Sequence, residues 1–471
     1  MQTEFKKNIA LLLLINFIIK PVYILGIDAQ VQNTVGPSEY GVYFALFNFC
    51  FLFQIILDLG LQNFNSKNIS ENRENAQAQF AIVLGAKLIL ILVFSIAVFF
   101  AAYLMSYPAN YFKLLFFLSL VMALQSMYIY LRSNFSALGH FRTESYLSAL
   151  DKLLMILVIG FMLYVMKNIT IQNFIYGQGL SFLIAIAVAL FLLGKKFKPS
   201  VNFSLPEMKK IIKKAFPFAL VFLLMSLYTK MDGVMLEALL DDNAVSAGIY
   251  AAGFRLMDAA NMVGYLFAVL LLPMFANLLG NKQEVNTLIR TSSSLLLTIS
   301  TLIAVLSWFY GDEIIGFIYV DATIEYISVF KILMISFWAM SMSYVFGSLI
   351  TASGKLKVFN LIFFVGIIVN WSLNLWLIPQ YFAWGAAIAT LITQFFVFVG
   401  QFILAKSMFE LKFPLTFILK TIFIVGIYFA IAYAMKTYVS LPWLIEITII
   451  GIFSVFISFL LGFFRLSLRS Y

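Results

Sequence analysis

Eleven ionisable residues sit within or at the ends of stretches otherwise apolar enough to cross a bilayer: Lys20, Lys87, Lys152, Lys230, Arg255 and Lys331, with Asp28, Asp58, Asp151, Asp232 and Asp258. A charge at the bilayer centre costs about 2.5–3.5 kcal/mol on insertion scales, so these groups must face a bundle interior or a water-filled cavity. The sharpest case is "SLYTKMDGVML" (226–236). Lys230 and Asp232, two residues apart on a helix, point about 200° apart and do not meet on one face. Each needs its own partner or cavity, and Gly233 beside them lowers helix propensity. A looser version occurs at "KPVYILGID" (20–28), where Lys20 and Asp28 are two turns apart and Pro21 removes a backbone donor. Lys20 and Lys230 are therefore expected to be cavity residues, each with an aspartate nearer the outer end of its span. Arg255 and Asp258, in "GFRLMDAAN", are three apart and can pair on one face, as readily structural as functional. Lys87 and Lys152, in the inner thirds of their spans, can either snorkel or face the cavity. Asp58 and Asp151 read as helix-end residues that reach water.

Other chemistry is excluded or weakened. His140 is the sole histidine and Cys50 the sole cysteine, which rules out an intrachain disulfide and a His/His or His/Cys metal site. Cys50 reads as a small buried hydrophobe. A Ser-His-Asp triad would have to be built on the loop carrying His140. No Gly-rich loop of the Walker type is present, so ATP is not the expected energy source and no cofactor is implied. A membrane sugar transferase or polymerase working with Asp or Glu alone survives this filter, but no loop is long enough to hold its polar donor.

The elements that position these charges follow from composition. Of 471 residues, 63% are hydrophobic and 11% charged, which places the chain among integral membrane proteins. About 20 apolar residues span the hydrocarbon core. That length gives fourteen expected spans, at 8–32, 39–61, 79–104, 111–134, 145–166, 171–194, 215–240, 244–275, 287–310, 323–351, 357–379, 383–408, 414–437 and 441–464. "MQTEFKKNIALLLLINFIIK" lacks a following small-residue cleavage site and is expected to be an uncleaved first span. With the N-terminus inside, 22 of the 31 Lys and Arg residues fall on the inner side, including Lys195, Lys196 and Lys198, and only Lys113, Lys167 and Lys436 on the outer. This bias puts both termini in the cytoplasm. It also explains much of the +10 net charge without a nucleic-acid partner.

Two halves of the chain resemble each other. "EYGVYFA" (39–45) and "SAGIYAA" (246–252) each open the span after a leading one, and "SMYIYLRSNFSALGHF" (126–141) aligns without a gap on "SMSYVFGSLITASGKL" (341–356). Ser126 pairs with Ser341, Met127 with Met342, Ala137 with Ala352 and Gly139 with Gly354. The common offset equals the distance from span one to span seven, and both halves start on the same side, as in parallel repeats. The expected organisation is an N-terminal lobe (1–194), a basic cytoplasmic linker (195–214), a C-terminal lobe (215–408) and two further spans (409–471).

"NWSLNLWLIPQYFAWGAAIATLITQ" (370–394) carries Asn370 and Asn374 one turn apart, the stop Ile378-Pro379, and the small-residue re-entry Gly385, Ala386, Ala387 and Ala389. It resembles the signature of polysaccharide-export proteins in the MOP (multidrug/oligosaccharidyl-lipid/polysaccharide) superfamily, with Ala383 or Trp384 where a first glycine is often seen. "VGPSEYGVYFALF" (35–47), "DLGLQNFNSKNIS" (58–70) and "GIYAAGFRLMD" (248–258) are similar to the same family's spans. The resemblance implies a Wzx-type flippase in the inner membrane, all-α, with two six-helix lobes around a central cavity. Its substrate would be an undecaprenyl-diphosphate-linked oligosaccharide. On that reading Lys20, Lys230, Arg255, Lys331 and Lys87 attract the pyrophosphate and acidic sugars, while Asp28, Asp232 and Asp258 bind a coupling proton or sodium ion. Asn370 and Asn374 are expected to hold helices together by hydrogen bonds. Runner-up readings are a lipid II flippase and a drug/cation antiporter, the latter disfavoured by the buried cations.

Overall fold

The computed structural model describes residues 18–71, 75–195 and 200–463. The expected start of the first span, the linker residues 196–199 and the tail after residue 463 lie outside them. Hydrocarbon offers no partner for backbone polar groups, so spanning segments must satisfy their own hydrogen bonds. Accordingly, every regular element among the described residues is helical, and ten helices are long and apolar enough to cross a membrane.

The chain divides into two compact units, residues 1–248 and 249–471. In the first, an opening helix runs from residue 18 through a π-helical segment, Ile24–Asp28, into α1 (Ala29–Leu52). Then come α2 (Leu61–Glu71), α3 (Ala76–Leu104), α4 (Ala109–Ala137), α5 (Phe141–Gly160), α6 (Ile171–Gly194) and α7 (Leu205–Leu239). α8 (Val245–Gly280) starts at the end of this unit and runs into the second. There follow α9 (Asn286–Phe309), α10 (Gly311–Ile318), α11 (Ile324–Ala352), α12 (Leu356–Phe409), α13 (Leu415–Tyr438) and α14 (Trp443–Leu460).

Two long helices are broken. α1 is interrupted at Gly36 (φ 82°), which supplies left-handed backbone just before Pro37. α12 is interrupted at Phe382 (φ 52°, ψ −134°), between the spans expected at 357–379 and 383–408. Two features depart from expectation. α7 begins at Leu205, so the second half of the basic segment is already helix: Met208 and Ile211 are buried while Lys209, Lys210 and Lys213 are exposed, the period of an amphipathic helix. The short helix α10, with Asp312 and Glu313 in its first turn, was not expected at all. Carboxylates at that end suit the helix dipole.

The internal repeat has structural counterparts. α4 and α11 end at the aligned residues Ala137 and Ala352, and Gly139 (φ 85°) and Gly354 (φ 72°) both take the left-handed conformation that closes a helix. The two glycines of the Gly-aliphatic-Tyr motif meet. A Cβ on Gly41 would stand 1.9 Å from the Ala244 carbonyl oxygen, and one on Gly248 2.0 Å from that of Pro37. In each half the motif tyrosine is then tied to the sixth span. Gln178 donates to the Tyr43 hydroxyl at 3.0 Å, and the Tyr250 hydroxyl shares a 3.0 Å bond with Thr390.

Candidate functional site

The charged residues singled out in the spans separate into two groups by their partners. Lys87, on α3, is 1% exposed. Its ammonium lies 2.8 Å from Asp58 Oδ1 and donates to the Leu57 carbonyl at 3.1 Å and Ser126 Oγ at 2.9 Å. An ammonium has three donors, so all are used. Lys87 staples α3 to α4 and to the turn after α1, and Asp58 is its counter-ion as well as a residue that reaches water. Lys331, on α11, bonds Asp312 at 2.6 Å, with its stem laid against Gly311. These two lysines have dedicated carboxylates.

Lys20 does not. Among the described residues it forms no ion pair, and the charges within its coulombic reach are Lys152, Asp151 and Arg132. Packing of α5 along the opening helix explains the neighbourhood. The Lys152 ammonium lies 4.6 Å over the Tyr23 ring, one turn along from Lys20, and the Tyr164 hydroxyl bonds the Gly26 carbonyl at 2.7 Å. Asp151 Oδ2 is 4.0 Å from Lys152, while its Oδ1 is buried with no partner among the described residues. Arg132 bonds Glu144 at 2.7 Å and leaves its Nε unpartnered. Sequence spacing could not bring Arg132 and Lys152 to Lys20, because α4 and α5, which carry them, lie far from it along the chain.

The other candidates in this unit lie along α1 and α7. Asp28 closes the π-helical segment, is 3% exposed, and accepts a 2.8 Å bond from the Tyr40 hydroxyl. Single π turns inside α-helices recur at functional sites. Gln32, one turn on, donates to the Gly248 carbonyl at 2.8 Å. Lys230 is half-buried with its ammonium 5.3 Å over the Phe51 ring. Asp232, two residues on, is 1% exposed. Gly233 lets α7 approach α1, since a Cβ there would come 2.5 Å from Asn48 Nδ2.

In the second unit, Arg255 and Asp258 are both half-buried on α8. Asp258 lies within coulombic reach of Tyr344, whose hydroxyl accepts a 3.0 Å bond from Asn261. Asn370 and Asn374 are fully buried and bond each other along one helix at 3.2 Å. Two further carboxylates were not singled out by the sequence reasoning, since their tyrosine neighbours arrive from segments distant in sequence. Glu446, 5% exposed, takes hydrogen bonds from the Tyr310 hydroxyl at 2.8 Å and the Leu441 amide at 3.1 Å. Glu237 lies beside Tyr107 and Tyr111. In the connection before α4, burial pushes the Tyr107 phenol up from its ordinary value and the Glu237 charge adds to the shift. An apolar cleft lined by Trp308, Trp338, Phe395 and Phe429 carries no charge, so it is no seat for a polar headgroup.

A family model described as "Polysaccharide biosynthesis protein" matches residues 5–279, more than half of the 471-residue chain. No curated protein sequence matches significantly. Among solved structures, the fold is similar to that of the lipid II flippase MurJ in an inward closed conformation, at 15% identity over 95% of this chain and 98% of that one, with a TM-score of 0.76. It is also similar to an inward-facing multidrug resistance MATE family transporter of the MOP superfamily (13% identity, 83% and 94% covered, TM-score 0.64). A third is a MOP superfamily transporter from Pyrococcus furiosus (14% identity, 86% and 96% covered, TM-score 0.61). At these identities the likeness speaks for the fold. The chain belongs to the polysaccharide biosynthesis protein family and has the fold of MOP superfamily transporters.

Proposed function

We propose that the protein is a flippase that carries a polyprenyl-diphosphate-linked oligosaccharide from the cytoplasmic to the outer leaflet by alternating access, driven by a proton or sodium gradient. The observation that carries this reading is the contrast among the intramembrane lysines. Lys87 and Lys331 have carboxylates of their own, whereas Lys20 forms no ion pair among the described residues and is set among Lys152, Asp151 and Arg132, two cations to one carboxylate. Like charges held close in a medium of low dielectric repel one another more strongly than they would in water. Such a cluster works against stability and makes sense when an anion joins it. A phosphate-bearing headgroup supplies that anion, while its lipid tail stays in hydrocarbon.

Lys230 and Arg255, both half-buried, are the further cations proposed to meet substrate, and Asp28, Asp232 and Asp258 the proposed coupling carboxylates. Lys87 and Lys331 are better explained as structural. The proposal retains the repeat-based lobes (1–194 and 215–408) and places the chain in the inner membrane with both termini cytoplasmic. A cationic drug would be repelled by the same cluster, which counts against an antiporter for such molecules.

The test is transfer in reconstituted vesicles, using fluorescent polyprenyl-diphosphate oligosaccharide in one arm and lipid II in the other. Protein-dependent movement of the first, above protein-free vesicles, is expected. Movement of lipid II alone would reassign the substrate, and movement of neither would refute the proposal.

A further inference from the structure

We infer that a cavity in the first unit, lined by Glu39, Asn110, Tyr111 and Gln172, is a saccharide subsite that takes a neutral sugar of the lipid-linked substrate. This deepens the flippase reading and rests on it for the source of the sugar. The cavity measures about 420 Å³, within the range of about 300–1,000 Å³ that small-molecule sites occupy. Three segments build it: α1 just past its break at Gly36, and the first turns of α4 and α6. On the orientation proposed above, all three lie at the outer ends of their spans.

The polar groups of the lining divide into those that hold the fold and those that do not. The Ser38 hydroxyl donates to the Asn243 carbonyl at 2.6 Å, and the Thr170 hydroxyl caps α6 by accepting from the Asn173 amide at 3.2 Å. Glu39, Asn110 and Gln172, by contrast, are exposed, and their side chains make no hydrogen bond or ion pair with the rest of the chain among the described residues. They come from three different helices and converge on one cavity. Tyr111 is held from below: its ring meets that of Tyr107 edge-on at 5.9 Å between centroids, and Glu237 of α7 lies beside it.

The chemistry of the lining selects the ligand. No Lys or Arg lines the cavity and Glu39 is its one formal charge, so a phosphate or an acidic sugar is repelled. A sugar ring matches it on both edges and faces. Each sugar hydroxyl can donate and accept, which a carboxylate and two primary amides answer in kind, and bonds to the ionised Glu39 are the stronger ones. The C–H face of the ring can rest on the apolar part of the wall, the Tyr111 ring with Val42 and Leu114. A headgroup carried to the outer side is then held by its sugar, at a place separate from the lysines within the spans, and this subsite discriminates among headgroups by sugar rather than by phosphate.

The full-length protein in fluorescent lipid nanodiscs can be read on an array of immobilised bacterial oligosaccharides, neutral and acidic. The wild type is expected to bind at least one neutral saccharide above protein-free nanodiscs. Glu39→Ala, Asn110→Ala and Gln172→Ala should each weaken that binding by about fivefold or more. Their melting midpoints should stay at the wild-type value, since these side chains bond nothing in the fold. Lys113→Gln, on the same exposed turn of α4 but outside the cavity, should bind as the wild type does. Binding of no saccharide, binding of acidic ones alone, or wild-type binding by all three alanine variants would overturn the subsite and leave the flippase reading to the vesicle assay. Loss of binding in those variants, with no lipid transfer by the wild type in vesicles, would support the subsite and refute the flippase.

Discussion

Lys20 and Lys87 look alike in the sequence, each a lysine in an apolar run, and the fold surrounds them differently. Lys87 is enclosed by Asp58, Ser126 and the Leu57 carbonyl. Removing one partner of a buried ion pair strands the other charge, a loss of about 3–5 kcal/mol. Because Asp58 keeps 31% of its side chain exposed, Lys87→Met should cost about 3 kcal/mol, the low end of that range. A thermal melt in detergent checks this, and an unchanged midpoint would contradict the staple. Asp28 is one of the carboxylates proposed to couple transport to an ion. It is buried, held by Tyr40, and set in a π segment whose backbone differs from the helix around it. In gradient-driven vesicles, Asp28→Asn should move substrate at one rate with and without an imposed gradient. Retained acceleration by the gradient would assign coupling elsewhere. Sequence spacing sets Lys230 and Asp232 on different faces, because helical geometry is local. It could not separate Lys20 from Lys87, since Ser126 and Arg132 arrive from a helix distant in sequence.

At the scale of elements, much was legible. The spans at 171–194 and 287–310 match α6 and α9 to within one residue, because twenty apolar residues between polar turns leave little choice. The aligned glycines Gly139 and Gly354 proved to be equivalent helix ends, and Gly41 and Gly248 a close backbone crossing. Gly41→Ala would force a Cβ to 1.9 Å from a carbonyl oxygen, whereas Gly26→Ala meets nothing within 4 Å. The first should lower the melting midpoint sharply and the second should leave it level or raise it; equal effects would refute the crossing. The signature at 370–394 read Ala383 or Trp384 as standing in for glycine. The residue that bears the glycine-like backbone is Phe382. Such a conformation costs a side-chain-bearing residue about 1–3 kcal/mol, and the Phe382 ring is 46% exposed, so little packing is lost without it. Phe382→Gly should therefore stabilise the protein by about 1 kcal/mol, read again as a raised midpoint. The early start of α7 and the existence of α10 were not legible. Lysines on one face of α7 disguised an amphipathic helix as a linker, and eight residues of α10 are too few to register as a span.

For the molecule as a whole, composition alone placed the chain in the membrane, and the repeat placed it among transporters built from two similar halves. The ten membrane-length helices and the shared MOP fold agree with the first. What composition could not give is the setting of the charges, because a net count does not distinguish a lysine with its own carboxylate from one without. The central claim is that Lys20 and Lys230 serve an anionic, lipid-linked substrate. Its most direct test is the rate of polyprenyl-diphosphate oligosaccharide transfer in vesicles containing equal amounts of folded wild type, Lys20→Gln, Lys230→Gln and Lys20→Arg. The account predicts at least a tenfold loss in both glutamine variants and substantial retention in Lys20→Arg. Wild-type rates in Lys20→Gln and Lys230→Gln would contradict it.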